Sequence, residues 1–214
     1  MKIVLDKLPA DQRPITLKVE PEMLEITRHF ASWLEAMVLE GARFSDEETI
    51  QLGWSFLMFR EAGKGLEACE PDFQSMPIRW VPGINNTTRH AHLQRAVCGL
   101  FDCEPEYPQI AQAGIASSNF IQGKEFVMFR SEPAESSDSG WAFHESDSIG
   151  SGGSFFTLYH LALLKPAIIP FLALPPLTRV SWSPGRCEVT VRGIMRSSED
   201  AKLLRNLTTS FNSI

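Results

Sequence analysis

The strongest constraint on the fold is a series of short apolar runs in the second half of the chain, at residues 115–120, 125–130 and 140–144. Each run has the length of a strand rather than of a helix. Gln122 and Gly123 separate the first two runs, which predicts a tight connection between paired strands. The polar residues 131–139 lead into the third run.

The residues after these runs favour a helix. Residues 155–174 are apolar with helix-like spacing, interrupted by Pro166 and Pro170. Three strands beside a helical cover form a small α+β unit. The predicted fold class is therefore α+β.

The first half of the chain predicts helices. Residues 22–40 carry apolar side chains at three- and four-residue spacings, and Gly41 stands where a helix C′ residue belongs. Ser45 and Glu48 have the spacing of a capping box, which predicts a second helix that ends near Gly63. The expected fold is thus a helical N-terminal part packed on a mixed or antiparallel sheet with helical cover.

A proline-bracketed stretch at residues 102–108 predicts a linker. The predicted division is a mainly helical region at 1–106 and an α+β domain at 107–214 that ends in a helix.

Several fragments between residues 114 and 176 together resemble a bacterial immunity-protein domain, of the kind found with polymorphic and secretion-system toxins. The fragments are Asn119-Phe120, Val127-Met128-Phe129-Arg130-Ser131-Glu132-Pro133, Asp138-Ser139-Gly140-Trp141-Ala142-Phe143, Phe156-Thr157-Leu158-Tyr159 and Ile168-Ile169-Pro170-Phe171-Leu172-Ala173-Leu174-Pro175. The sequence departs from the family pattern after Phe143, where His144-Glu145-Ser146-Asp147 begins the acidic loop. The resemblance implies a protein that binds and neutralises a cognate toxin, without catalysis or a cofactor of its own.

The charge pattern indicates where such a partner would bind. The net charge is −6, and residues 131–164 contain five carboxylates but no lysine or arginine. A nucleic-acid-binding surface has the opposite sign, so the predicted partner is a basic protein, such as a nuclease toxin, and not a nucleic acid. The predicted partner-binding residues are Glu132, Glu135, Asp138, Trp141, His144, Glu145 and Asp147.

Two other functions fit the sequence. A small hydrolase could use His144 with Glu145 or Asp147, and Ser139 could be added as a nucleophile, although no nucleophile-elbow motif surrounds it. A non-catalytic adaptor is the third reading. A toxin gene beside this one favours the immunity protein, whereas turnover of ester or phosphoester substrates favours the hydrolase.

Metal sites and membrane spans are not expected. The four cysteines form no C-x-x-C pair, and His90 and His92 would point about 200° apart on a helix. No apolar run reaches the 18–20 residues that a membrane span needs, and charged residues follow Met1 too closely for a secretory signal. The expected compartment is the cytoplasm.

Overall fold

The computed structural model describes residues 1–145 and 152–210, and the chain divides into two compact units, Met1–His92 and Leu93–Ile214. Each unit is built on a β-sheet of its own, which confirms the α+β class. The predicted domain boundary after residue 106 lies inside the second unit.

The first unit contains a sheet in the order β1-β2-β5-β4-β3, with β6 paired to β5. Strands β2 and β5 run parallel, and the other neighbours are antiparallel. A long helix, α1, buries Phe30, Ala31 and Leu34 in the same core as the sheet. The elements are β1 (Lys2–Leu5), β2 (Ile15–Lys18), α1 (Leu24–Leu39), β3 (Thr49–Leu52), β4 (Ser55–Ala62), β5 (Gly65–Pro71) and β6 (Trp80–Pro82).

The first predicted helix is confirmed, together with the way it ends. A 3-10 turn at Pro21–Met23 leads into α1, and Gly41 follows it with φ +113°. The N–H groups of Gly41 and Ala42 donate to the carbonyls of Val38 and Met37, at 3.1 and 2.9 Å. This is the Schellman arrangement, which satisfies the last carbonyls of a helix.

The second predicted helix is wrong, because residues 49–62 form the β3–β4 hairpin. Gly53 at φ +63° makes the turn between the two strands. Along β4, Ser55, Leu57 and Phe59 are buried in alternation, which is the period of a strand. The Glu48 side chain does accept from the Ser45 N–H at 2.7 Å, but Glu47 has φ +66° and directs the chain away from a helix. The N-terminal unit therefore has a strand-rich fold rather than a helical one.

The N-cap candidates at residues 84–88 predict a third helix over about residues 89–101. This helix is confirmed as α2 (Asn85–Gly99), and a buried carboxylate holds its beginning. Glu70 on β5 accepts hydrogen bonds from the backbone N–H groups of Asn86 and Thr87, at 3.1 and 2.7 Å. Burial raises the pKa of Glu70, and these backbone hydrogen bonds oppose the rise.

The second unit contains a sheet in the order β10-β7-β9-β8-β11-β12-β13. Strands β7 and β9 are parallel, and every other pair of neighbours is antiparallel. The elements are β7 (Ala113–Ala116), α3 (Ser118–Gln122), β8 (Phe126–Arg130), β9 (Asp138–His144), β10 (Ser154–Thr157), α4 (Leu158–Leu164), a 3-10 helix (Pro166–Phe171), β11 (Thr178–Ser183), β12 (Arg186–Val191), β13 (Ile194–Ser197) and α5 (Lys202–Ser210).

The predicted hairpin between residues 115–120 and 125–130 is wrong. Helix α3 lies between β7 and β8, and the Ser117 side chain caps it by accepting from the Phe120 N–H at 3.3 Å. Strand β9 is inserted between the two strands that were expected to pair. Residues 155–174 were predicted to be helical cover. The structure has the end of strand β10 there first, followed by the short helix α4 and the 3-10 helix.

Candidate functional site

A buried arginine holds the centre of the second unit together. Arg130 ends β8, and its guanidinium donates to the backbone carbonyls of Glu106, Ser139, Leu172 and Leu174. The guanidinium also lies 5.7 Å from the centre of the Trp141 ring. Burial lowers the pKa of Arg130, and the nearby Glu106 opposes this shift. An arginine remains charged in such a site, so four carbonyl dipoles replace its water shell.

The fragments that carry the resemblance meet around this arginine. Arg130 and Trp141 are directly paired across β8 and β9, and the Trp141 indole donates to the Leu172 carbonyl at 3.0 Å. Residues 172–174 belong to the last of the resembling fragments, residues 168–175, and these hydrogen bonds hold them against the sheet. Trp141 is 1% exposed. Arg130 and Trp141 therefore serve the packing of this unit.

The loop between β8 and β9 is rigid for reasons local to its own sequence. Gly140 has φ +74°, and a Cβ there would lie 2.2 Å from the Ser131 carbonyl oxygen. The Asp138 carboxylate accepts from the N–H groups of Ala134 and Gly140, at 3.0 and 2.8 Å. The Asp138 carboxylate thus connects the middle of the acidic loop to the start of β9, and the loop has this conformation without a partner.

Six carboxylates lie at the end of the sheet where β8 finishes and β9 begins, and we call this surface the acidic end. The loop is tied to the segment before β7, because Gln112 donates to Ser136 O at 2.9 Å and Arg130 donates to Glu106 O at 2.8 Å. Two of the six have arginine partners: Arg95 lies 3.8 Å from Glu104, and Arg192 lies 3.5 Å from Glu106. The six are Asp102, Glu104, Glu106, Glu132, Glu135 and Asp138.

The remaining predicted site residues lie at the opposite end of β9. His144 is six residues from Asp138, which corresponds to about 20 Å along a strand. Glu145 is exposed and packs beside Gly123, whose carbonyl accepts from Lys165 Nζ at 2.7 Å. Asp147 lies outside the described residues. The predicted binding residues therefore do not form one continuous patch.

Burial separates the predicted residues further. Glu132, Glu135 and Glu145 are exposed, and Asp138 is half-buried because its carboxylate caps the loop. Trp141 and His144 are 1% and 9% exposed, so each is positioned to pack rather than to contact a partner. A direct contact of either residue with a toxin stays a prediction.

The hydrolase triad that would use Ser139 is not assembled, because Ser139 and His144 lie apart on β9; a hydrolase that uses His144 with Glu145 or Asp147 stays a prediction. Ser139 is five residues from His144 on β9, which is roughly 16 Å. The Ser139 hydroxyl already donates to Ala113 O at 2.6 Å and accepts from the Trp141 N–H at 3.3 Å. Within the described part of the chain, no three His, Cys, Asp or Glu side chains are grouped so that they could hold a metal ion.

Both cations that border the lysine- and arginine-free stretch are withdrawn from solvent. Arg130 is buried, and Lys165 is half-buried, with its Nζ 4.5 Å from the centre of the Phe120 ring. Burial lowers the pKa of Lys165 to about 8. The nearby Glu145 opposes this shift of the Lys165 pKa, as Glu132 does for Arg130.

The second unit can now be compared with known families. Residues 93–192 match the Imm33-like domain. The Imm33-like segment begins where the second unit begins and ends just after β12, so it contains the Arg130 cluster and all six carboxylates of the acidic end.

This match supports an immunity-protein family for the second unit. It covers 100 of the 214 residues, and residues 1–92 lie outside it. No curated protein and no solved structure matches the chain. Within the described residues, no helix has the length and apolar character needed to cross a membrane.

Sequence reasoning missed half of the acidic end. Asp102, Glu104 and Glu106 were assigned to a linker, although their acidic spacing was visible in the sequence. The hydrogen bond from Arg130 to Glu106 O joins this segment to the end of β8, and local sequence spacing does not predict a contact between residues 24 positions apart.

Proposed function

We propose that this protein is an immunity protein that binds a cognate bacterial toxin and neutralises it by occlusion, with the acidic end in contact with the toxin. The observation that carries the proposal is the match of residues 93–192 to the Imm33-like domain. The partner is a toxin protein with a basic surface, as the substrate groove of a nuclease would be.

The charge arrangement supports this contact surface. Glu132 and Glu135 are exposed on a loop whose backbone is already fixed, so little conformational entropy is lost when a partner docks. Like-signed carboxylates on a rigid surface accelerate the encounter with a basic partner and repel acidic ones.

Protection of cells and formation of a complex test the function directly. The gene immediately upstream is the expected source of the toxin, and its product is expressed with and without this protein while growth is followed. We expect the native chain to restore growth, and the two purified proteins to elute together from a gel-filtration column. Absence of both effects would overturn the proposed function.

Occlusion makes a further, separable claim. The complex should lose toxin activity on both large and small substrates, because the toxin's site is covered. If the complex forms while a small substrate is still turned over at the full rate, the proposed binding stands and occlusion is wrong.

A further inference from the structure

The acidic end continues into a groove that has no role in the proposed function. It has a volume of about 430 Å³ and lies between the segment 101–106 and the β12–β13 turn. Phe101, Pro175, Val191 and Ile194 supply its apolar surface. Asp102, Glu104 and Glu106 stand along the first wall, and Arg192 is on the second wall.

We propose that this groove receives an apolar side chain of the toxin that is flanked by lysine or arginine. The inference rests on the proposed function and names the part of the surface that would dominate the binding energy. Hot spots of protein interfaces are apolar pockets surrounded by groups that exclude water.

Both walls are held in place without a partner. On one side, Glu106 donates its N–H to Ala173 O at 2.8 Å, and its own carbonyl accepts from Arg130. On the other side, Arg192 and Gly193, at φ +48° and +86°, make the tight turn between β12 and β13. The groove is therefore formed before binding, as ligand sites usually are.

Leu177 is the feature that points most strongly to a partner. It follows Pro176 beside this groove, with its N–H bonded to Arg130 O at 2.9 Å and its carbonyl bonded to the Arg192 N–H at 3.1 Å. Its side chain is 72% exposed, and its φ is +65°. A leucine is unfavourable in this backbone conformation and gains nothing from exposure, so glycine would suit the fold better.

Two other residues with a positive φ lie at the same place. The described non-glycine residues with positive φ are Glu47, Asp102, Leu177 and Arg192. Asp102 and Arg192 line the groove, and Leu177 is bonded to Arg192. Asp102 has its positive φ at the end of α2, where the Cys103 N–H donates to Cys98 O at 3.3 Å, and Arg192 has it in the β12–β13 turn. Of these three residues, Leu177 is therefore the one whose positive φ is not part of a helix end or a hairpin turn.

The charged residues that line the groove indicate which toxin residues it would bind. Among the described residues that line the groove, the carboxylates are Asp102, Glu104 and Glu106, and the cation is Arg192. Arg192 is already 3.5 Å from Glu106, and the Glu104 side chain is 92% exposed. The surface complements a cationic partner with an apolar projection, and it disfavours an acidic one.

Substitution of Leu177 separates a binding role from a folding role. The probe is the toxin encoded by the adjoining gene, inactivated in its own catalytic site, and its dissociation constant is measured with each variant. We expect Leu177→Gly to raise the dissociation constant tenfold or more, while its melting temperature is no lower than that of the native protein. Glu104→Lys should also weaken binding, mainly through a slower association.

The matched control is Phe155→Thr. Phe155 is an equally exposed apolar residue, also 72% exposed, but it lies on β10 at the far edge of the sheet. Its replacement should change the dissociation constant less than twofold.

The outcomes distinguish this inference from the proposed function. If the native chain binds the toxin and Leu177→Gly and Glu104→Lys bind equally well, the groove is wrong and the function stands. A lower melting temperature for Leu177→Gly would show that the leucine serves the fold, which also contradicts the groove. If the native chain does not bind the toxin, the proposed function fails and the groove fails with it.

Discussion

At the scale of single residues, Arg130 explains why the fragments of the immunity-like motif occur together. Its guanidinium fixes four carbonyls from three separate segments, and the Trp141 ring covers it. No carboxylate side chain within the described residues forms an ion pair with it at salt-bridge distance. The network is therefore sensitive to any change in the number and direction of its donors.

Arg130→Met should destabilise the protein by about 3 kcal/mol or more, because buried carbonyls would lose their donors. Arg130→Lys should recover only part of this loss, since an ammonium group cannot reproduce the planar fork of donors. Denaturant unfolding measures both variants. Arg186→Met on β12 is the control, since Arg186 is exposed and its ion pair with Glu188 is at the surface, and it should have a much smaller effect. Similar losses for Arg130→Met and Arg186→Met would contradict the role of Arg130.

His90 gives the first unit a defined response to acid. It accepts from the Trp54 indole N–H at 3.4 Å and meets the Phe73 ring at 4.7 Å. Burial lowers the pKa of His90 to about 3, and Arg89 adds to the effect. The unfolded chain takes up a proton near the ordinary pKa of about 6.5, whereas the folded chain does not, so stability falls as the pH drops below 6.5.

His90→Gln keeps an acceptor but cannot titrate. Between pH 7 and pH 4, the native protein should lose at most about 3 kcal/mol of stability more than this variant does. The measurement is the free energy of unfolding of both proteins at each pH. Because other groups titrate equally in the two proteins, their difference isolates His90. A constant difference across this range would contradict the assignment.

At the scale of elements, the beginning of β9 needs a glycine at position 140 for two separable reasons. Gly140 combines φ +74° with a close approach to Ser131 O. Gly185, in the β11–β12 turn, has a similar φ of +83° but nothing within 4 Å of a Cβ.

Gly140→Ala should therefore cost clearly more stability than Gly185→Ala. The second variant has only the strain of an L-residue in this conformation, roughly 1 kcal/mol, whereas the first must also move the acidic loop. Thermal unfolding of the two variants provides the comparison. Equal losses would show that the close approach to Ser131 relaxes without cost.

The same scale shows how far the sequence predicts the fold. Strand β9, helix α1 and helix α2 were identified from local patterns, because each pattern agrees with the final environment of the element. The β3–β4 hairpin was misread as a helix, since Ile50, Trp54, Leu57 and Met58 satisfy helical spacing over a short run. Burial of Ser55, Leu57 and Phe59 on one face decided the outcome, and burial depends on the rest of the sheet.

The candidate site was predicted only in part, for a related reason. The absence of lysine and arginine over residues 131–164 identified the acidic residues. It did not predict that β9 separates His144 from Asp138 by about 20 Å. Nor does it place Glu104 and Glu106 beside Glu132, because that arrangement depends on the long-range contacts of Arg130.

At the scale of the whole molecule, residues 1–92 carry a net charge of −4 and residues 93–214 a net charge of −2, and six of the twelve carboxylates of residues 93–214 lie at the acidic end. Residues 1–92 lie outside the Imm33-like match, and the proposed contact surface lies in the second unit.

The most direct test of the central claim is the rate at which the toxin associates with two matched double variants. Glu132→Lys with Glu135→Lys alters the acidic end, whereas Glu125→Lys with Glu199→Lys makes the same change of net charge among exposed residues at the opposite end of the sheet. We predict that the first pair slows association about tenfold at low salt and flattens its salt dependence, while the second pair changes the rate less than threefold. Equal rates for the two variants, or a slower rate for the second, would contradict the account.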